Sequence, residues 1–299
     1  MIGRRGFLGA AGGALLVAAS GVQAATPADP KGLGGSALKE RMAALEARSG
    51  GRLGVAVFDT GSGRRFSRRG GERFPMCSTF KFPLAAAVLK KVGEGAESLD
   101  RRIPVTAADL IPYAPFAETR VNGQPPTVAE LCQAAVTLSD NVAANLLLPV
   151  VGGPAGLTAF LRAIGDRKTR LDRNEPTLNS AIPGDPRDTT TPVSMVHCLD
   201  RLMVGDALPP EQRRQLIDWM VATRTGDKRL RAGVPKGWRV GDKTGTGVNG
   251  TANDVAILWP EGRAPVLLAS YLTQTAKDFK GQDAVHADVA RAVVEALAA

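Results

Sequence analysis

The chain has 299 residues, a net charge of +9, 44% apolar residues and 5% aromatic residues. That length suits one large domain or two intimately packed ones, and that apolar fraction excludes wholesale disorder. The arginines are scattered, aromatics are few and no nucleic-acid-binding motif occurs, so the charge reads as a basic surface and not as a nucleic-acid footprint.

In chain order, residues 1–24 read as an export signal. Arg4 and Arg5 form a charged head, an apolar run follows from Phe7 to Ala19, and Val22-Gln23-Ala24 supplies the small residues of a cleavage site. The adjacent arginines followed by Gly-Phe-Leu resemble a twin-arginine signal, which points to the periplasm. The run is short of the ~20 apolar residues that a span needs, so no stable membrane association is expected after its removal.

Leu38, Met42 and Leu45 recur at helical spacing, and Gly50-Gly51 end that helix. Ser36, at its start, is placed to be its N-cap. "RLGVAVFDT", "GSG" and "RRFSRR" read as a β-hairpin. Phe80 to Val92 is a helix apolar on nearly every face, which marks it as buried. Further helices are expected over Val128–Leu138, Val142–Val150, Gly156–Ile164, Pro192–Met203 and Pro210–Ala222. The polar stretch from Ile164 to Pro192 is a long loop, and loops of that length inside a compact domain are usually functional. After Trp238 come three strands, "WRVGDKTGTG", "GTANDVAILWP" and "APVLLASYLT", and a last helix from Asp283.

Strands at both ends and helices between them predict an α/β (α+β type) fold. A five-stranded antiparallel sheet is flanked by terminal helices, and an all-helical domain is inserted into it. The expected division is 25–74 with 224–299 for the α/β part and 75–223 for the helical part, with the active site at their interface.

His197 and His286 are the only histidines and neither has a partner at metal-ligand spacing. A zinc site or a Ser-His-Asp triad is therefore not expected, and no metal or cofactor is called for. Cys77, Cys132 and Cys198 form no C-x-x-C pair, and burial as small apolar residues is the default for all three.

Two stretches place serine three residues before lysine: Ser36-Ala-Leu-Lys39 and Ser78-Thr-Phe-Lys81. Lys39 falls with Glu40 and Arg41 on a solvated face, so the first pair is structural. Lys81 is carried inward on a buried helix. Desolvation lowers a lysine's pKa, which is the condition for acting as a base toward a neighbouring hydroxyl.

The second pair has company. Ser139-Asp140-Asn141 lies at a helix junction, Glu175-Pro-Thr-Leu-Asn179 in the long loop, and Lys243-Thr-Gly245 on a strand. Together with "DTTTP" and "TANDVAILWP", these resemble the class A serine β-lactamases across essentially the whole mature chain. The resemblance implies a β-lactamase/transpeptidase-like fold, a periplasmic monomer and a small-molecule β-lactam as substrate.

It also implies roles. Ser78 is the nucleophile, with Lys81, or Glu175 through a water, as its base. The backbone N–H groups of Ser78 and Thr246 form the oxyanion hole. Ser139 relays a proton to the leaving nitrogen, and its spacing also suits a helix N-cap. Asn141 meets the substrate's acylamino group, and Tyr113 stands at the rim. Lys243, Thr244 and Thr246 address the substrate carboxylate, while Gly245 lets the substrate lie close. Glu175 and Asn179 hold the deacylating water, which separates a hydrolase from a D,D-peptidase; a β-lactam sensor would need a transmembrane link to a signalling module, and no span is read beyond the export signal. Arg173 and Asp188 pin the loop. Many members bind the carboxylate with an arginine where this chain has Ala252; here Arg229 takes that task, with Arg231 nearby. Some carbapenem-hydrolysing members pair a cysteine like Cys77 with one at the place of Gly247, and others bridge a cysteine like Cys132 to one at the place of Ala85. Neither bridge is expected here.

Overall fold

Period-two alternation builds the sheet. Along β1 (Arg52–Asp59), Leu53, Val55 and Val57 point to one face and Ala56 to the other; along β7 (Val266–Thr273), Leu268 and Leu272 oppose Leu267, Ala269 and Tyr271. A computed structural model describes residues 32–299, so the export-signal reading of residues 1–24 lies outside the described residues. With β2 (Arg65–Arg68), β5 (Arg239–Gly247) and β6 (Thr251–Trp259), the strands form one five-stranded antiparallel sheet of order β2-β1-β7-β6-β5. All eight residues of β7 are buried, as befits a central strand covered on both faces.

One face packs on α1 (Ser36–Ser49) and α8 (Phe279–Ala298), through Leu38, Met42, Leu45, Val289 and Val293. The other packs against the helical body: α2 (Lys81–Gly93), α3 (Val128–Thr137), α4 (Asn141–Leu147), α5 (Gly153–Ala163), α6 (Pro192–Leu199) and α7 (Pro210–Val221). α2 has nine consecutive buried residues from Lys81 to Leu89 and is the axis of that body.

Local chemistry explains most boundaries, and some differ from expectation. α1 ends at Gly50 in the left-handed region (φ 66°), which costs glycine nothing. Ser36 is the first helical residue and not the cap: Gly35 precedes the helix and no side chain caps it. The helix expected over 142–150 tightens after Leu147, with Pro149 in the tighter turn. The one expected over 192–203 widens after Leu199. α8 starts at Phe279, four residues before Asp283, because the Asp278 side chain accepts from the Gly281 N–H. A short pair, β3 (Phe74–Pro75) with β4 (Thr189–Thr190), was not expected; it ties the end of the long loop to the chain entering Ser78.

Candidate active site

Ser78 lies in a tight turn, Cys77–Phe80, that runs straight into α2. The three-residue spacing brings Lys81 Nζ to 2.9 Å from Ser78 Oγ. Lys81 is wholly buried, and its ammonium is also 2.8 Å from the Ser139 carbonyl, 2.5 Å from Asn141 Oδ1 and 2.9 Å from Glu175 Oε1. Burial is the largest influence and holds Lys81 below the usual lysine range, against the pull of the Glu175 carboxylate.

The junction between α3 and α4 supplies the next wall. Asp140 is the N-cap of α4: its Oδ1 accepts from the Ala143 N–H at 2.8 Å. Ser139 is therefore not the cap. It stands just outside the helix in the left-handed region (φ 62°), and its hydroxyl accepts from Lys243 Nζ at 3.0 Å. Asp140 Oδ2 accepts from the Phe116 and Ala117 N–H groups, tying down the loop that carries Tyr113. Asn141 Nδ2 donates to the Pro112 carbonyl at 2.9 Å. Cys77, Ser139 and Tyr113 all have positive φ, a conformation that costs a non-glycine residue about 1–3 kcal/mol and that concentrates at functional sites.

The long loop folds back over Ser78. Arg173 Nε meets Asp188 Oδ2 at 2.6 Å, and Asp188 Oδ1 accepts the N–H groups of Asp172 and Arg173. The Glu175 side chain is fully buried; its Oε1 lies 3.4 Å from Ser78 Oγ, and its Oε2 accepts from Asn179 Nδ2 at 2.5 Å.

β5 closes the opposite side. It is the outer strand of the sheet, yet Lys243 is fully buried and not an exposed edge lysine. Burial and the nearby Lys81 charge push Lys243 well below the usual lysine range. Thr244 Oγ1 shares a hydrogen bond of 2.6 Å with Thr225 Oγ1, and Thr246 Oγ1 accepts from Arg229 at 2.9 Å. Gly245 lines the cleft, and its lack of a side chain has a second use. A Cβ there would lie 2.7 Å from the Met76 carbonyl oxygen and 3.2 Å from the Ser78 nitrogen, so this glycine also admits the nucleophile turn. The cleft between these walls has a volume of about 430 Å³ and contains Ser78, Ser139, Asn141, Asn179 and Thr246.

The sequence model of the beta-lactamase enzyme family matches residues 37–297. Beta-lactamase OXY-2 of Klebsiella oxytoca is 48% identical over 261 residues, covering 87% of this chain and 90% of that protein. A carbapenem-hydrolyzing beta-lactamase KPC of the same species is 52% identical over 259 residues, 86% of this chain and 88% of that protein. Among solved structures, an ancestral (GNCA) class A beta-lactamase superposes with a TM-score of 0.86 at 64% identity, covering 87% of this chain and 99% of that one. The chain belongs to the class A serine β-lactamases. It is a β-lactam hydrolase, an activity that confers antibiotic resistance.

In this β-lactamase the two candidate arginines part company. Arg229 reaches the cleft, braced by Asp283 at 2.8 Å, the Gly245 and Asn253 carbonyls and Thr246. Arg231 instead pairs with buried Asp242 below the strand. Tyr113 stands at the cleft rim, 57% exposed. Cys77, Cys132 and Cys198 are buried free thiols. A Cβ on Gly247 would lie 2.7 Å from Cys77 Sγ, so the two positions are adjacent although this β-lactamase lacks the second cysteine.

Several residues of this β-lactamase escaped the sequence reading. Asn145 clamps the Glu175 backbone from both sides, donating to its carbonyl at 2.9 Å and accepting its N–H at 3.0 Å. It lies four residues after Asn141 on α4, a spacing that could have revealed it. Thr225, Asp283 and Phe279 also line the cleft. They come from segments distant in sequence, and no motif marks them.

Proposed function

We propose that this enzyme opens β-lactams through an acyl-enzyme on Ser78, deacylated by a water held on Glu175. Ser78 Oγ attacks the lactam carbonyl and its proton passes to Lys81. Lys81 is the nearer acceptor, at 2.9 Å against 3.4 Å for Glu175, and its burial favours the neutral amine. The oxyanion is met by the N–H groups of Ser78 and Thr246, each worth about 3 kcal/mol. The ring C–N bond breaks and the nitrogen takes a proton from Ser139, which is resupplied through Lys243. Lys243, Thr244, Thr246 and Arg229 receive the substrate carboxylate. Asn141 and Asn179 border the acylamino group, with Tyr113 at the rim. Glu175 then takes a proton from a water positioned with Asn179, and that water's oxygen attacks the ester; the ester C–O bond breaks as Ser78 Oγ takes back the proton held on Lys81, and the proton on Glu175 returns through solvent to Lys243.

The observation that carries this reading is that one buried amine, Lys81 Nζ, touches both Ser78 Oγ and Glu175 Oε1. Every side chain invoked comes from one copy of the chain, which suits a monomer. The arginine-led export signal in residues 1–24 suits delivery to the periplasm.

Mass spectrometry with benzylpenicillin tests the mechanism. Wild type turns over without a lasting adduct, and Glu175→Gln accumulates an acyl adduct on Ser78. A wild-type adduct that persists would overturn the hydrolytic reading. A Glu175→Gln adduct on another residue would overturn the choice of nucleophile.

A further inference from the structure

Phe279 is the most exposed large apolar side chain among the described residues, at 68%, although it is the first residue of a helix whose other apolar residues are mostly buried. It is not scattered at random on the surface. It lines the cleft that contains Ser78, on the side of Arg229, Thr246 and Asp283.

α8 places it there. Phe279 and Asp283 are four residues apart, so they share one helix face with Cβ atoms about 5–6 Å apart. Asp283 braces the Arg229 guanidinium at 2.8 Å, and Arg229 in turn holds Thr246 Oγ1 at 2.9 Å. The aromatic face is thus anchored one helical turn from the groups that receive the substrate carboxylate. Tyr113 bounds the same cleft from the loop that Asp140 ties down.

In cephems and carbapenems the ring carbon beside the carboxylate-bearing carbon carries a variable substituent. A substrate anchored at Arg229 presents that substituent to α8. An open aromatic face attracts planar rings by stacking and cations through its quadrupole, and only two torsions must be fixed to use it.

We propose that Phe279 is a specificity-determining residue, a platform favouring β-lactams whose carbon next to the carboxylate-bearing carbon bears a cationic heteroaryl group. The inference rests on the carboxylate being received at Arg229 and Thr246, as in the mechanism above.

The test uses two cephalosporins that differ only at C3. One carries a methyl group. The other carries a pyridinium ring joined by a vinyl link, which is not expelled on ring opening. The ratio of their kcat/KM values falls roughly fivefold in Phe279→Ala, mainly through KM for the pyridinium substrate. Phe279→Leu keeps apolar bulk but removes the π face, and lowers the ratio as much; Phe279→Trp preserves it. An unchanged ratio in Phe279→Ala, or full retention in Phe279→Leu, overturns the platform while leaving the Ser78 mechanism standing. If wild type opened neither compound, the underlying mechanism would fall first and the platform with it.

Discussion

Replacing Gly245 by alanine probes the meeting of β5 with the nucleophile turn. The added Cβ would sit 2.7 Å from the Met76 carbonyl oxygen and 3.1 Å from the Thr79 nitrogen, both backbone atoms that no rotamer change can move. Restoring an ordinary contact of about 3.4 Å requires β5 and the turn to separate by roughly 0.7 Å. Misplacement of reacting groups by 1 Å costs on the order of a hundredfold, so a loss of about thirtyfold in kcat/KM is expected, equivalent to about 2 kcal/mol. The two proposed oxyanion donors, on Ser78 and Thr246, lie on opposite sides of that separation. Overpacking adds about 1–3 kcal/mol of destabilisation, read as several degrees in Tm. The control lies on the same strand. A Cβ on Gly241 meets the Met220 side chain at 3.1 Å and Ile257 at 3.4 Å, so Gly241→Ala lowers Tm while kcat/KM stays within about twofold. Steady-state kinetics with benzylpenicillin and thermal melts of both variants decide the matter. If folded Gly245→Ala keeps kcat/KM within about threefold, or Gly241→Ala loses as much, the reasoning is refuted.

Three further outcomes are expected. Gly247→Cys forms a disulfide with Cys77, so the denatured variant titrates two thiols instead of the four its sequence would hold; because the new Cβ also lies 2.9 Å from the Asn179 carbonyl oxygen, turnover changes with it. Asp188→Asn removes the charge that accepts from Arg173 and costs about 2–4 kcal/mol in denaturant unfolding; deacylation slows, and an adduct becomes visible in wild-type-like turnover conditions. His286 is fully buried between Ser270 and the Ala252 carbonyl, and burial lowers its pKa to about 3. The native state therefore favours the neutral ring: this contribution is complete above the unfolded pKa of ~6.5 and is lost as pH falls toward 3. Wild type should lose about 2 kcal/mol between pH 7 and pH 5 that His286→Asn does not, and equal losses in urea unfolding would refute the assignment.

The sequence was most readable where one physical rule acts alone. The hairpin signal around Gly61-Ser-Gly63 and the three runs after Trp238 placed all five strands of the sheet, and the buried stretch from Phe80 to Val92 placed α2 and separated Lys81 from Lys39. Ser78 with Lys81 was visible because the pair is local. Contacts between distant segments were not: the Asn145 clamp on Glu175, Thr225 beside Thr244, and the backbone crowding that makes Gly245 necessary. Capping was misjudged at two serines for different reasons. At α4 the Asp140 carboxylate takes the N–H group that a Ser139 cap would have bonded, whereas at α1 Ser36 is already helical, Gly35 precedes the helix and no side chain caps it. Phe279 concealed the start of α8, since an apolar residue facing solvent breaks the amphipathic pattern used to find a helix.

The surroundings of Lys81 have an arithmetic consequence. An ammonium carries three protons, and four oxygens lie within 3 Å of this nitrogen: Ser78 Oγ, the Ser139 carbonyl, Asn141 Oδ1 and Glu175 Oε1. The ammonium alone leaves one oxygen over, and the hydroxyl of Ser78 supplies the missing proton. With the ammonium on Ser78 Oγ, the Ser139 carbonyl and Asn141 Oδ1, that hydroxyl points to Glu175 Oε1, 3.4 Å away, and all four oxygens are served. With the ammonium turned to Glu175 Oε1 at 2.9 Å, one of the other three oxygens gives up its short bond. Proton transfer therefore starts from a relay in which Ser78, Lys81 and Glu175 already share their hydrogens.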